Sequence, residues 1–543
     1  MTDIKLTLIS SLEKLYHEDE TTTNEFLKFS ILKNERKSFQ CVIDSLIESK
    51  FKIEVNTDLK NIKIYKVEYV PSNLPIQKSN HDDYIRLSKN NMYPDLLLPI
   101  QDEIDLSKGR TILWIEVSSD KLDEIGEHKL SFSFDNGEKY TSSEMSMEII
   151  DAELNFENFV YTNWFHSDCL MSYYQVEAFS EKYWQYVENY LKIAAMHGMN
   201  CVLTPVFTPP LDTEIGKERP TVQLVDVSIK NRKYSFNFDK LEKWINLCHS
   251  CNIEYFEISH LFTQWGANNA PKIVANVDGE LKRIFGWETK SSSKEYVRFL
   301  TEFSTAFKQF IENKGLKDKT FIHVSDEPNF AVIRSYSKAS KLIHKLFKGY
   351  KIIDALSDVW FYKLGVVSSP IPSNDHINHF LGKADNLWTY YCSAQSKKYV
   401  SNRFFCHENL RNRVLGYQLF KYDVQGFLHW GYNFYYTQLS KELIDPFKVT
   451  DAGGKFPSGD SFVVYPSNEG TPYESIRLKV FYDGLQDFAA ANTLKKLTTK
   501  DTVLSIIEKK QKISFSEYPH ENSWLLESRE AINKAIKEQT VKK

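Results

Sequence analysis

The stretch FIHVSDEPNF, residues 321–330, sets two carboxylic acids side by side, Asp326 and Glu327, after a short apolar run and before Pro328 and Asn329. One reading is a helix start, with Asp326 as the cap, Glu327 in the first turn and Pro328 at an early helical position. The other is a catalytic pair. Two carboxyl groups held that close cannot both ionise freely, so one pKa rises, and a raised pKa is what a general acid needs near neutral pH.

Spacing sharpens the chemistry. Glycosidases with two separate carboxylates place them about 5 Å apart for retention or about 6.5–9.5 Å apart for inversion, on opposite sides of the bond. Neighbouring residues, with Cα atoms about 3.8 Å apart, approach a sugar from one strand end and are poorly placed to sandwich it. Such a pair works when one acid protonates the leaving oxygen and its neighbour orients a nucleophile that belongs to the substrate, as a 2-acetamido group does. On this reading Glu327 is the acid/base and Asp326 holds the acetamido N–H.

The elements that must position these acids are visible in the periodicity. Residues 1–155 carry short alternating or β-branched runs, among them SFQCVIDSL, FKIEVN, TILWIEVSS and SEMSMEIID, and are expected to form an antiparallel β-sandwich. NMYPDLLLPI, punctuated by proline, fits no element on pattern alone. From residue 156 to about 500 strands alternate with long helices, and FVYTNWF through GFLHW supply about eight strands. That grammar predicts a parallel (β/α)8 barrel of the TIM type, its sixth strand the weak run WFYKLGVVS, closed by the helix SIRLKVFYDGLQDFAAANTLKKL. Residues 501–543 are expected to form a helical tail.

In such a barrel the active site lies at the carboxyl ends of the strands. Those positions hold Trp164, His166, His260, Asp358, Trp388, Tyr390, Tyr391, Trp430, Tyr432 and Asn433 beside the acid pair. Indoles, phenols and acids suit a sugar: aromatic faces hold pyranose rings and carboxylates move protons. No Gly-rich phosphate loop and no serine elbow is present. For Trp164, Trp388 and Trp430, barrel core is the competing reading, because strand residues alternate between interior and helix-facing sides. Asp358 or Glu257 as a second carboxylate would favour a direct nucleophile instead. Cys248-His249-Ser250-Cys251 has metal-like spacing without a second pair, and the dyad His376/His379 lacks an acid cluster; both are expected to be structural.

Composition excludes other classes. A net charge of -4 over 543 residues argues against nucleic-acid or membrane-surface partners. Seven scattered cysteines form no disulfide framework, and no apolar run is long enough to span a bilayer. The first residues lack the basic start and apolar core of a signal peptide, so a cytoplasmic protein is expected.

YPDLLLP and the sandwich around Trp114, followed in order by HVSDEPN, LGYQLFKYDVQGFLHWGYN, GDSFVVYP and SIRLKVFYDGLQDF, resemble the N-terminal and catalytic domains of glycoside hydrolase family 123 over residues 30–495 or so. The resemblance implies a β-N-acetylgalactosaminidase acting by neighbouring-group participation, with the family's Asp-Glu pair at Asp326 and Glu327. The expectation is therefore a retaining hydrolase of terminal β-linked N-acetylhexosamine on oligosaccharides or glycoconjugates, needing no metal or organic cofactor. The alternatives are a glycosidase on non-acetamido sugars and a non-catalytic carbohydrate-binding protein.

Overall fold

The computed structural model describes residues 3–19, 25–119, 123–328 and 330–541; Asn329, the last residue of the HVSDEPN motif, lies outside the described residues. Two sheets form the N-terminal part. The larger orders Ile4–Ser10, Arg36–Ser45, Gly109–Ser118, Asn61–Pro71, Met92–Ile100, Tyr473–Ser475 and Val464–Tyr465; the smaller orders Lys28–Lys33, Tyr140–Glu153, Gly126–Asp135, Ser49–Asn56 and Glu103–Leu106. Alternation decides which side chains meet. Phe39, Cys41 and Ile43 face Phe51, Phe132 and Met147 of the smaller sheet, while Val42, on the opposite face of the same strand, packs with Trp114, Ile476 and Val480.

Pairing is antiparallel except where Tyr140–Glu153 runs parallel to Lys28–Lys33. The unplaced NMYPDLLLPI is the strand Met92–Ile100, whose Pro94 is tolerated beside a register shift between Glu68 and Tyr69 of the neighbouring strand. The last two strands of the larger sheet come from the catalytic half of the chain, so the two halves share a sheet.

The barrel strands are, in order, Val160–Asn163, Cys201–Thr204, Tyr255–Ile258, Thr320–Ile322, Lys351–Ala355, Ser369–Ile371, Trp388–Tyr390 and Gly426–His429. All pair in parallel, with the sheet running from the sixth strand through the first to the eighth and seventh. One parallel bridge, Ser373 to Tyr390, spans the remaining gap, so the barrel is nearly closed. The sixth strand lies a few residues later than its sequence pattern suggests. Asp358 accepts a hydrogen bond from the Trp360 backbone N–H and caps a short helix, Val359–Lys363, over the first half of the run read as a weak strand.

Two hairpins in the loops after the second and third strands, Asp226–Lys230 with Lys233–Asn237 and Ile273–Val277 with Glu280–Phe285, join into a four-stranded sheet the periodicity does not announce. Their two-residue turns, Asn231-Arg232 and Asp278-Gly279, take the positive φ that tight hairpins require.

The helix Ile476–Leu497 is buried along most of its length between barrel and sandwich. Its Arg477 donates 2.8 Å hydrogen bonds to both oxygens of Asp95. A Cβ on Gly416 would lie 1.8 Å from the Gly484 carbonyl oxygen, so two glycines let Leu415–Lys421 touch this helix backbone to backbone. The tail forms the helices Lys500–Ile507 and Asn522–Thr540, and buried Arg529 reaches Glu35 at 2.6 Å and Asp487 at 3.0 Å. No helix among the described residues is long and apolar enough to cross a membrane.

Candidate active site

At the carboxyl end of the barrel a cleft of about 220 Å³ is lined by Asp326, Glu327, Trp164, Tyr390 and Trp430, with Asp212, Gln264, Trp265, Gln438 and Phe456 completing the wall. The fourth strand ends at Ile322, the chain stays extended through Ser325, and the acids follow on a turn in which Glu327 has φ of 40°. That left-handed conformation is strained for a glutamate, and strain of this kind persists where the surroundings over-determine it. Trp265 N–H donates to the Asp326 carbonyl at 3.3 Å and Ser325 Oγ to the Thr263 carbonyl at 2.9 Å, tying the turn to the loop after the third strand. The acids therefore do not begin a helix.

Their electrostatics differ. Tyr390 donates its phenol O–H to Glu327 Oε1 at 2.8 Å. Glu327 is exposed toward the cleft while the rim surrounds its other sides; burial pushes its pKa up, and the Tyr390 bond pulls it back. Asp326 is raised well above its usual range, by burial first and then by the charge of Glu327, with His323 opposing. Its carboxylate accepts no hydrogen bond from any described residue. The pair thus resists full ionisation and keeps one acceptor free for a ligand.

Two indoles wall the cleft, each held by a buried acid. Trp164 Nε1 donates to Glu257 Oε1 at 2.8 Å, and Trp430 Nε1 to Asp460 Oδ2 at 3.0 Å. Burial lifts the Asp460 carboxyl to about 7. Beneath Trp164, Glu257 accepts from Thr162 Oγ1 at 2.7 Å and contacts His323 Nε2, whose Nδ1 faces Asp354 at 3.2 Å. Burial alone would lower the His323 pKa, but the two acids raise it to about 10, making it a buried cation.

The structure does not bring the remaining expected residues to the cleft lining. Asp358 is a helix cap. His166 is buried between the Trp430 carbonyl and Arg219, which Asp168 holds with two bonds. His260 stacks on His323 with ring centroids 4.2 Å apart, below the cleft. Trp388 fills the barrel interior against Phe321, in space that Gly426 leaves: a Cβ there would lie 2.3 Å from the indole. Tyr391 points the other way from Tyr390, its hydroxyl 3.3 Å from Asn412 and its ring against Phe427. Tyr432 donates to the Tyr190 carbonyl at 2.9 Å, and Asn433 exchanges two bonds with the His166 backbone. These are core contacts.

Conversely, Asp212, Gln264, Trp265 and Asp460 escaped sequence reasoning. Asp460 lies inside the GDSFVVYP motif, which was the available signal; the others sit on loops with no periodic pattern.

One group of metal-capable side chains occurs among the described residues, His260, His323 and Asp354, with ligand atoms within 4.8 Å of one another. Both ring nitrogens of His323 already face carboxylates, so a metal would have to displace a proton and break those contacts.

A nearly closed parallel barrel with paired acids and acid-anchored indoles at its carboxyl end has the architecture of a glycosidase. Residues 164–494 match the model of the glycoside hydrolase 123 catalytic domain. The chain belongs to glycoside hydrolase family 123 and is a glycosidase. Its fold is similar, at a TM-score of 0.75 and 16% identity over 99% of this chain and 100% of the other, to a family 123 glycoside hydrolase from Clostridium perfringens described for glycolipid glycan hydrolysis. Bacteroides uniformis β-glucuronidase 3 (TM-score 0.31, 10% identity, 90% of this chain and 51% of the other) is too distant to inform the site. No curated protein matches the chain.

Proposed function

We propose that this glycosidase removes a terminal β-linked N-acetylhexosamine, N-acetylgalactosamine before others, with retention, using the substrate's own acetamide as nucleophile. Asp326 accepts the acetamide N–H and aligns the carbonyl oxygen under the anomeric carbon. That oxygen bonds to C1 as the C1–O bond breaks, and the departing oxygen takes the proton of Glu327. Glu327, now a carboxylate, removes a proton from water, which attacks C1 and reopens the oxazolinium ring to the free sugar. Two inversions give retention. Oligosaccharides and glycoconjugates, glycolipid glycans among them, are the substrates proposed.

The observation that carries this reading is the division of labour in the pair: Glu327 held by Tyr390, Asp326 lining the same cleft with no hydrogen-bond partner for its carboxylate among the described residues. The second carboxylates considered from sequence are committed elsewhere, Glu257 to His323 and the Trp164 indole, Asp358 to its helix. The test is an aryl-glycoside panel. Cleavage of the 2-acetamido-2-deoxygalactoside with competitive inhibition by the matching thiazoline is expected; equal cleavage of the plain galactoside, or no inhibition, would refute participation. Binding without turnover of either would favour a lectin-like role.

A further inference from the structure

Asp212 is a third carboxylate in the cleft wall, contributed by the loop after the second strand. Its backbone, at φ of 40°, is as strained as that of Glu327. Three bonds hold it. Its N–H donates to Gln264 Oε1 at 2.7 Å, its carbonyl accepts from Ser440 Oγ at 2.6 Å, and its Oδ2 accepts from the Leu439 N–H at 2.9 Å. Leu439 and Ser440 are themselves left-handed, at 65° and 52°. Clamping two loops needs only Oδ2; Oδ1 has no partner among the described residues.

Gln264 adds a second, independent sign of a ligand. It is 5% exposed and lines the cleft, and its Nε2 is buried with no hydrogen-bond partner among the described residues. The bond from Asp212 N–H fixes Oε1 as the acceptor, so the orphan is a true donor. A buried unpaired N–H is costly and is expected to meet a partner in the bound state. Acceptor and donor thus stand together, and the chain locates them: Trp265, next to Gln264, donates its N–H to the Asp326 carbonyl. Asp212 and Gln264 therefore flank Asp326. The charge of Asp212 is felt at Asp326 and is not among the influences on Glu327.

Resting on the proposed reaction, in which Asp326 meets the acetamide at C2, we infer that Asp212 and Gln264 read the adjacent C3 hydroxyl of the terminal sugar. Asp212 Oδ1 accepts the hydroxyl proton and Gln264 Nε2 donates to its oxygen. The site then selects residues whose C3 position is unsubstituted. Burial sets the Asp212 carboxyl at about 6, so the acceptor is charged at neutral pH.

The experiment compares kcat/KM of the wild type and Asp212→Asn on an aryl N-acetyl-β-galactosaminide and its 3-deoxy analogue. Asparagine tolerates the positive φ and keeps an oxygen for the Leu439 N–H, so the variant should fold. The wild type should lose roughly 10- to 150-fold on the 3-deoxy substrate, the worth of hydrogen bonds to a charged group. Asp212→Asn should lose a similar factor on the normal substrate and little on the analogue, bringing the two within about threefold. Gln264→Leu should narrow the gap less. Full wild-type discrimination in Asp212→Asn would overturn the inference, as would equal abolition of both substrates with rescue by azide, the mark of a nucleophile. If the wild type cleaves no acetamido substrate, the parent reading fails. Quenching of the cleft tryptophans by free N-acetylgalactosamine and its 3-deoxy form then decides: preference for the hydroxyl lost in Asp212→Asn supports the inference, and unchanged preference or no binding overturns it.

Discussion

Tyr390→Phe removes one oxygen and should expose how the acid is tuned. The phenol donates at 2.8 Å to Glu327 Oε1 and so favours the carboxylate over the protonated acid. A hydrogen bond to a charged group contributes about 1.5–3 kcal/mol, and one pKa unit corresponds to about 1.4 kcal/mol. Losing the bond should therefore raise the Glu327 pKa by about 1–2 units. Since the general acid must be protonated, the basic limb of the kcat/KM profile should move to higher pH by that amount. The plateau should fall as well, by up to about 150-fold, because the bond is worth most on the carboxylate that glycosidic cleavage creates. Aryl leaving groups grade the effect: a dinitrophenyl aglycone, needing little protonation, should be hurt least. The assay is a pH series with two aryl glycosides of different leaving-group pKa. An unchanged basic limb, or equal losses on both substrates, would refute the assignment of Glu327 as the acid tuned by Tyr390.

Three further outcomes concern the frame. Gly416→Ala drives a Cβ to within 1.8 Å of the Gly484 carbonyl oxygen, and backbone cannot rotate aside, so a loss of about 3 kcal/mol or failure to fold is expected in denaturant titration. Arg529→Ala leaves Glu35 and the Arg413-paired Asp487 short of a buried cation and should cost about 3–5 kcal/mol, linking the tail to the stability of the whole chain. His323 carries a pH signature. Its folded pKa, about 10 against 6.5 unperturbed, means its contribution is full below 6.5 and is lost as pH rises through about 10. His323→Gln should flatten the alkaline fall of the melting temperature across that window, and an unaltered slope would show His323 to be neutral.

Much of the architecture is legible in the sequence because it depends on local periodicity. Alternation marks the strands of the sandwich, and strands spaced by helices mark the barrel, so the end of the fourth strand, and Asp326-Glu327 with it, can be placed at a rim. The errors follow the same logic. WFYKLGVVS reads as a weak, aromatic-led strand, yet Asp358 caps a helix over its first half, because one side-chain hydrogen bond outweighs weak strand propensity. Strand-end lists also cannot tell Tyr390 from Tyr391: a period of two sends neighbours to opposite faces, and which face is the cleft depends on the barrel's phase.

The adjacent acids, the indoles and the strand–helix grammar were fixed by residue order, since chemistry and periodicity are local properties of the chain. The loops at 212, 264 and 439, the anchoring of Trp164 by Glu257 and of Trp430 by Asp460, and the strained turn of Glu327 were decided only by tertiary structure. They join residues up to 228 positions apart, and nothing in a chain's local pattern encodes which distant hydrogen bonds a closed barrel will force together.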